Sequence, residues 1–472
     1  MKQFTSGFVI QSGIHNNRCY NYYEGLRMKF KLFFSIVALF ATALSASGQD
    51  QGKALTLNEC IEIGLQNNLA MLRAQYDVRS AQSSRLQAIG KFTPLINVGG
   101  SYTRADADQV RFRANQIVVS RNNFSYYATA RFTVFDGMAN IASIDQSLDD
   151  LKGAEYKEFQ TRQDIVFKVT ESYFNVLRNQ QLLKVSEENL KRSREQLDKI
   201  KAMNEVGSVP LADVYNQQVQ VGRDELSVIQ AKNNLENSRL DLVYYLGVDM
   251  QDVNINDPSI PEDISLSDIQ AFRASLPSSE MLLEEAVKKR ADVKNAEMAV
   301  RSAEKGKTIA WSGYMPVVSF FAQYNWNNIV WRDFLLYDRA FYGLDISWSV
   351  FDRFQTQNQI EQADIRLRIA EDTYNETKRL VKVQLRKALN DLEVAEQNLD
   401  VTAKNLKATE EDVRLARERY VLGSATILDQ IVAEANYTAA QGDRVNAVYN
   451  FHIVKKKIMY YLGTLEALLN GD

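Results

Sequence analysis

Few side chains in this sequence are placed to do covalent chemistry. Two histidines and two cysteines occur in 472 residues, and with the methionines they form no paired ligand set for a metal ion. There is no phosphate-binding loop and no nucleophile with a partnered base, so an enzymatic reading has no constellation to rest on and no cofactor is implied. His452 stands alone on a late helical stretch, where packing is the expected role. Cys60 lies at a helix start and reads as a small apolar side chain. What remains is charge in special places. Arg131 and Asp345 fall on the polar faces of stretches that alternate polar and apolar residues. Charges so placed keep a passage wet.

Four stretches carry that alternation. In 95–103, Ile96, Val98 and Tyr102 share one face; in 125–135 it is Tyr126, Ala128, Ala130, Phe132 and Val134. In 317–326 it is Val318, Phe320, Ala322, Tyr324 and Trp326, and in 341–350 it is Tyr342, Leu344, Ile346, Trp348 and Val350. Period two predicts strands. About ten residues is also the length of a tilted strand that crosses a membrane. Two hairpins of a soluble sandwich would alternate in the same way. An export signal, aromatic residues near strand ends, and long polar connections at 104–124 and 327–339 favour membrane strands. Four strands cannot close a barrel, and open edges cannot face lipid, so the chain must oligomerise. Two copies would make a nearly filled eight-stranded barrel; three would make twelve strands and an open passage, which suits the polar faces better.

The rest is helical, and it is duplicated. Phe135-Asp136, Gly207-Ser208 and Tyr245-Leu246-Gly247 each recur 216 residues later as Phe351-Asp352, Gly423-Ser424 and Tyr461-Leu462-Gly463. Upstream, Val78-Arg79-Ser80-Ala81 and Pro94 recur at an offset of 222 as Val300-Arg301-Ser302-Ala303 and Pro316. Length alone suggests about three domains, but landmarks in register argue for one tandem-duplicated unit. Residues 56–90 read as a helix capped by Thr56 with Glu59 three residues on. Residues 137–205 and 353–421 lack proline, and each could run about 100 Å as one helix. In the second, Val381, Leu385, Ala388, Leu392, Ala395 and Leu399 mark a coiled-coil seam. Helices at 211–246 and 425–462 run back, giving two antiparallel hairpins on one side of the membrane. The expected organisation is a leader or misassigned start at 1–27, a signal peptide at 28–48, a first repeat at 49–247, a linker at 248–278 and a second repeat at 279–472. Met28-Lys29-Phe30-Lys31, then the apolar run Leu32 to Leu44 and Ser45-Ala46-Ser47, carry the signal. A net charge of −3 gives no reason to expect nucleic acid.

On these residues the chain resembles the outer membrane efflux protein family, the TolC-like channels, over essentially all of the sequence after the signal. The carriers are Leu55-Thr56-Leu57-Asn58-Glu59-Cys60-Ile61, the Pro94 and Pro316 strand junctions, Val134-Phe135-Asp136-Gly137 with Val350-Phe351-Asp352, and the turns 206–214 and 420–429. The resemblance implies a mainly α fold with a membrane β-barrel: a homotrimer whose four strands per chain complete a twelve-stranded barrel in outer membrane lipid, continued by a periplasmic helical tunnel. It also implies a passive exit duct of a tripartite efflux or type I secretion system, docked on a periplasmic adaptor (membrane fusion) protein and an inner membrane RND or ABC pump. By the same resemblance, Val206, Gly207, Ser208, Leu422, Gly423 and Ser424 form the tip that meets the adaptor. Asp213, Tyr420 and Asp429 form an entrance gate, and Arg131 and Asp345 line the barrel lumen. The family's latch arginine falls on Ala425 and its second entrance acid on Val432, so a weaker or differently built latch is expected. A periplasmic adaptor would carry one hairpin between small β domains, and a structural coiled-coil protein would not need the strands.

Overall fold

A computed structural model describes residues 55–113, 116–249, 255, 261, 263–330 and 338–465. The expected leader and signal lie outside the described residues. The opening helix is two helices, α1 (Leu57–Asn67) and α2 (Leu69–Gly90). Thr56 and Glu59 form the capping box that starts α1. The continuous helix expected over 56–90 breaks at Asn68. Its side chain accepts from Ala70 N at 2.9 Å and donates to Tyr245 O at 2.9 Å, offering the backbone an alternative to the helical bond.

Strands β1 (Leu95–Arg113) and β2 (Gln116–Phe135) follow, then α3 (Ala139–Glu205) and α4 (Leu211–Leu246). The expected linker holds a helix of its own, α5 (Leu266–Ser275), capped by Ser265 and Asp268, and Ile264, Ile269 and Phe272 are buried. The chain continues through α6 (Ser279–Lys289), α7 (Ala291–Trp311), β3 (Val317–Asn328), β4 (Asp338–Ser347), α8 (Gln355–Val421) and α9 (Ile427–Leu462). Helices α3 and α8 are each 67 residues long, and α4 and α9 each 36. Each long helix opens on the same device. Asp136 accepts from Asn140 N at 3.0 Å, and Asp352 from Thr356 N at 2.7 Å, after two residues of left-handed backbone. That is the physical content of the repeated Phe-Asp.

The strands form one antiparallel sheet in the order β1-β2-β3-β4, leaving β1 and β4 as open edges. Register places Val98, Ala128, Tyr324 and Ala340 in one row and Ile96, Ala130, Ala322 and Tyr342 in the next. The expected apolar residues therefore share one face, and Val98 and Tyr342 are each 79% exposed on it. No described element covers that face, which decides against the soluble sandwich. Two expectations change here. The connection expected over 104–124 is mostly strand, because β1 and β2 run on to Arg113 and Gln116. The stretch 341–350 stops pairing at Ser347, so Trp348 and Val350 lie beyond β4.

Core packing is divided between the hairpins. Val381, Leu385, Ala388, Leu392, Ala395 and Leu399 of the expected seam are buried against α5, α6 and α9. A second cluster, around Ile61, Val169, Tyr173, Phe174 and Leu242, joins α1, α3 and α4. His452 stacks on Phe174 with ring centroids 5.4 Å apart, and burial pushes its pKa down to about 4, so it packs as a neutral ring. Among the described residues no helix is long and apolar enough to cross a membrane.

Candidate functional site

The far ends of the hairpins are built by two similar turns. After α3, Gly207 takes φ +76° and Ser208 N donates to Met203 O at 2.8 Å; after α8, Gly423 takes φ +71° and Ser424 N donates to Arg419 O at 2.9 Å. This is the glycine-ended helix stop, which satisfies carbonyls that the last turn leaves unpaired. A Cβ at either glycine would meet nothing within 4 Å, so the requirement for glycine is conformational and not steric. Val206, Val421 and Leu422 are at least three-quarters exposed at this tip.

Just above the turns the hairpins are bonded to each other. Tyr420 Oη on α8 donates to Asp213 Oδ2 on α4 at 3.2 Å. Tyr420 is buried, and burial, then the neighbouring Asp213 charge, pushes its pKa up to about 12. It remains a neutral donor at any physiological pH. The two residues matched to a latch from sequence are thus in contact. Asp429 is not part of that contact. Its carboxylate accepts from Thr426 N at 2.8 Å and Thr426 Oγ1 at 2.7 Å, and its own N–H bonds back to Thr426, the capping box of α9. Those bonds hold its pKa below the usual carboxylate range, the Thr426 N–H first.

A polar layer higher up was not anticipated from the sequence. Between α3 and α9, Gln196 donates to Gln430 at 3.4 Å, Thr438 donates to Asn189 at 2.9 Å and Arg192 donates to Gln441 at 3.4 Å. Asn189 in turn donates to the buried Asp224 of α4 at 3.0 Å, and Gln220 donates to the same oxygen. The other Asp224 oxygen is buried without a hydrogen-bond partner. Burial pushes this carboxyl above its ordinary pKa, opposed by its hydrogen bonds and reinforced by Glu434. Glu434 itself accepts from Arg417 Nε at 3.1 Å. A readable signal existed: Gln217 and Asp224 stand seven apart beside the buried series Val214, Val221, Val228, Leu235 and Leu242, so they are polar residues in a seam register.

Arg131 and Asp345 lie exposed on the same face of the sheet, opposite the bare apolar one. That face is not uniformly polar, since Tyr127 and Phe321 lie across Gly99 and Gly343.

The profile of the outer membrane efflux protein family matches residues 61–248 and 282–464. The outer membrane protein TolC of Vibrio cholerae is 21% identical over 443 residues, covering 91% of this chain and 95% of that protein. TolC of Escherichia coli is 20% identical over 442 residues, covering 89% of this chain and 85% of its own length. Among solved structures, CusC superposes with a TM-score of 0.75 at 16% identity, over 88% of this chain and 95% of CusC. The CmeC outer membrane channel of Campylobacter jejuni gives 0.73 at 15% identity, over 89% and 90%. The chain belongs to the outer membrane efflux protein family, with its strands in the outer membrane and its helical hairpins extending into the periplasm.

Proposed function

We propose that this protein is the outer membrane exit duct of a tripartite export system, working as a homotrimer without chemistry of its own. The observation that carries the proposal is the open-edged sheet. One face is apolar and bare, the other carries Arg131 and Asp345, and β1 and β4 have no neighbour. In lipid each edge must find a partner strand, and three copies joined β4 to β1 close a twelve-stranded barrel with a wet lumen. Two repeats, 49–247 and 279–472, then place two hairpins per copy around one periplasmic tunnel. The exposed tip at Val206, Gly207, Ser208, Leu422, Gly423 and Ser424 is the surface for a periplasmic adaptor. An RND or ABC pump in the inner membrane supplies the energy. Relatives described as efflux pump outer membrane proteins, among them TtgC of Pseudomonas putida at 24% identity over 268 residues, support efflux as the class of task.

The entrance is proposed to be held shut by Asp213 and Tyr420 in each copy, with the Asn189, Gln196, Gln430 and Thr438 layer behind them. Asp429 contributes a ring of negative charge there in addition to capping α9. The first test is the protein mass of the detergent-purified chain by light scattering coupled to chromatography. A trimer is expected; a monomer stable without detergent would remove the barrel, and the duct with it.

A further inference from the structure

On the sheet face that carries Arg131 and Asp345, three aromatic rings climb through consecutive rows. Leu95, Arg131, Phe321 and Gly343 make one row; Asn97, Thr129, Gln323 and Phe341 the next; Gly99, Tyr127, Asn325 and Arg339 the third. Rows on one face lie about 7 Å apart, so Phe321, Phe341 and Tyr127 span about 14 Å of the wall. Two of the rings lie against it. A Cβ on Gly343 would come 3.2 Å from Phe321 Cζ, and one on Gly99 would come 2.5 Å from Tyr127 Cζ, so each ring reaches over the neighbouring strand into space that a side chain would take. The device is built twice with its parts exchanged: Tyr127 and Gly343 are 216 residues apart, and Gly99 and Phe321 are 222 apart, the two repeat offsets. Rings standing off the wall would fill a passage; rings laid over glycine leave it open and turn one face to it. Covering glycine does not account for Phe341, which lies opposite Gln323 and at 47% is the most exposed of the three.

The charges on this face favour one sign. In the rows shared by the strands they are Arg131, Arg339 and Asp345, two cations to one acid, and Asp345 lies in the row with Thr133 and Ser319, outside the three that hold the rings. Arg131 is the direct cross-strand neighbour of Phe321, and Arg339 shares a row with Tyr127 and stands two residues from Phe341. Among the described residues neither guanidinium is paired with a carboxylate. A ring beside a free guanidinium offers stacking and a charge-assisted hydrogen bond together, which are the two needs of an aromatic anion. Resting on the exit duct proposed above, this face lines the barrel and its occupant is cargo in transit. We propose that Phe321, Phe341 and Tyr127, with Arg131 and Arg339, form a track for amphipathic aromatic anions, flat ring systems that bear a carboxylate or sulfonate. Each rung touches one side of its guest, so binding is weak and repeated, as passage requires.

The test uses the full chain in planar bilayers, with 1-naphthalenesulfonate added on the side of the membrane away from the helices. It should interrupt the single-channel current at about tenfold lower concentration than either of two controls. Cyclohexanesulfonate has the charge without the aromatic face, and 1-naphthylmethylammonium has the ring with the opposite charge. Phe341→Leu and Arg131→Gln should each weaken the block severalfold, whereas Tyr342→Leu, on the bare apolar face, should leave it unchanged. If the probe blocks wild-type trimers no better than either control, or blocks Phe341→Leu and Arg131→Gln as it blocks wild type, the track is refuted while the duct stands. Particles without trimer mass would instead remove the duct reading, and the track with it.

Discussion

Replacing Tyr420 by Phe tests the inner closure with the smallest possible change. The ring stays in its buried seam position, and only the hydroxyl 3.2 Å from Asp213 Oδ2 is lost. A hydrogen bond to a charged group is worth about 1.5–3 kcal/mol, and 3.2 Å is long for a hydroxyl donor, so about 1.5 kcal/mol is the appropriate figure. Asp213 is only partly buried, and water can take over its oxygen, so no desolvation penalty adds to the loss. If the three copies open together, the closed state loses about 4–5 kcal/mol, roughly three decades in the closed-to-open ratio. The assay is single-channel recording in a planar bilayer, where Tyr420→Phe should raise open probability or conductance strongly. Asp213→Asn keeps an acceptor without the charge and should give about half the effect in free energy. Because burial holds the Tyr420 pKa at about 12, the wild-type latch should not titrate through that hydroxyl between pH 6 and 9. If both variants record like wild type, this bond does not hold the entrance shut.

Other outcomes follow from the same region. Asp224 has a raised pKa when folded, so the folded chain keeps its proton to higher pH than the unfolded chain, and stability falls as pH rises from about 3.8 through the raised value. Asp224→Asn should raise the thermal midpoint at pH 7 and flatten that part of the pH profile; a lower midpoint at pH 7 would show that the ionised carboxylate stabilises the layer. Asp429→Ala removes the carboxylate half of the capping box, while the backbone N–H at that position still bonds Thr426 Oγ1, and should give a slightly lower thermal midpoint. It should also reduce cation preference in bilayers; an unchanged preference would leave Asp429 as a cap and nothing more. Gly423→Ala forces an L side chain to φ +71° with nothing for its Cβ to touch, so a loss of about 1 kcal/mol is expected, and an unchanged midpoint would mean the turn relaxes to another form.

The periodic parts of this molecule were legible in its sequence. Seam residues Val381 to Leu399 are buried as their spacing requires, and the four apolar strand faces meet in register on one side of the sheet. What escaped lies where a side chain overrides its neighbours' period. Asn68 and Arg290 each sit in extended backbone between two helices, 222 residues apart, and neither is a proline or glycine that would announce a break. Arg290 is buried, with Asp292 accepting from it at 2.6 Å and Tyr461 beneath its guanidinium, so tertiary contacts hold that joint. The continuation of β1 and β2 beyond their pairing with β3 was missed because the register shift between Arg104 and Gln109 interrupts the alternation, so no single apolar face runs through it. The inter-hairpin layer was missed because polar residues on a long helix ordinarily face solvent; burial of Gln217, Asp224 and Gln430 depends on which helix lies opposite.

That burial pattern bears on how such a tip opens. The seam of α8 continues in sevens from Leu399 through Leu406 and Val413 to Tyr420, so the residue bonded to Asp213 is also the last apolar knob before the turn. Toward the sheet, one large apolar cluster is built mainly on α8 and α9 with α5 to α7, and the other on α3 and α4 with α1, where Tyr449 and Tyr460 of α9 also pack and tie the two hairpins together. Near the tip one cluster spans both, joining Leu197, Ile200, Val214 and Val221 to Tyr420, Ile427 and Ile431. Beside it the hairpins meet through the Arg192–Gln441 contact and through neutral amides and hydroxyls, whose hydrogen bonds exchange with water at about 0.5–1.5 kcal/mol each. Prising one hairpin from the other at the tip alone therefore exposes one small apolar cluster and a few exchangeable bonds. Prising the helices of a single hairpin apart would expose its whole seam, at a far greater cost in buried area. Motion at the entrance should accordingly move each hairpin as a unit, with Tyr420 at the point where the last apolar contact and the latch are released together.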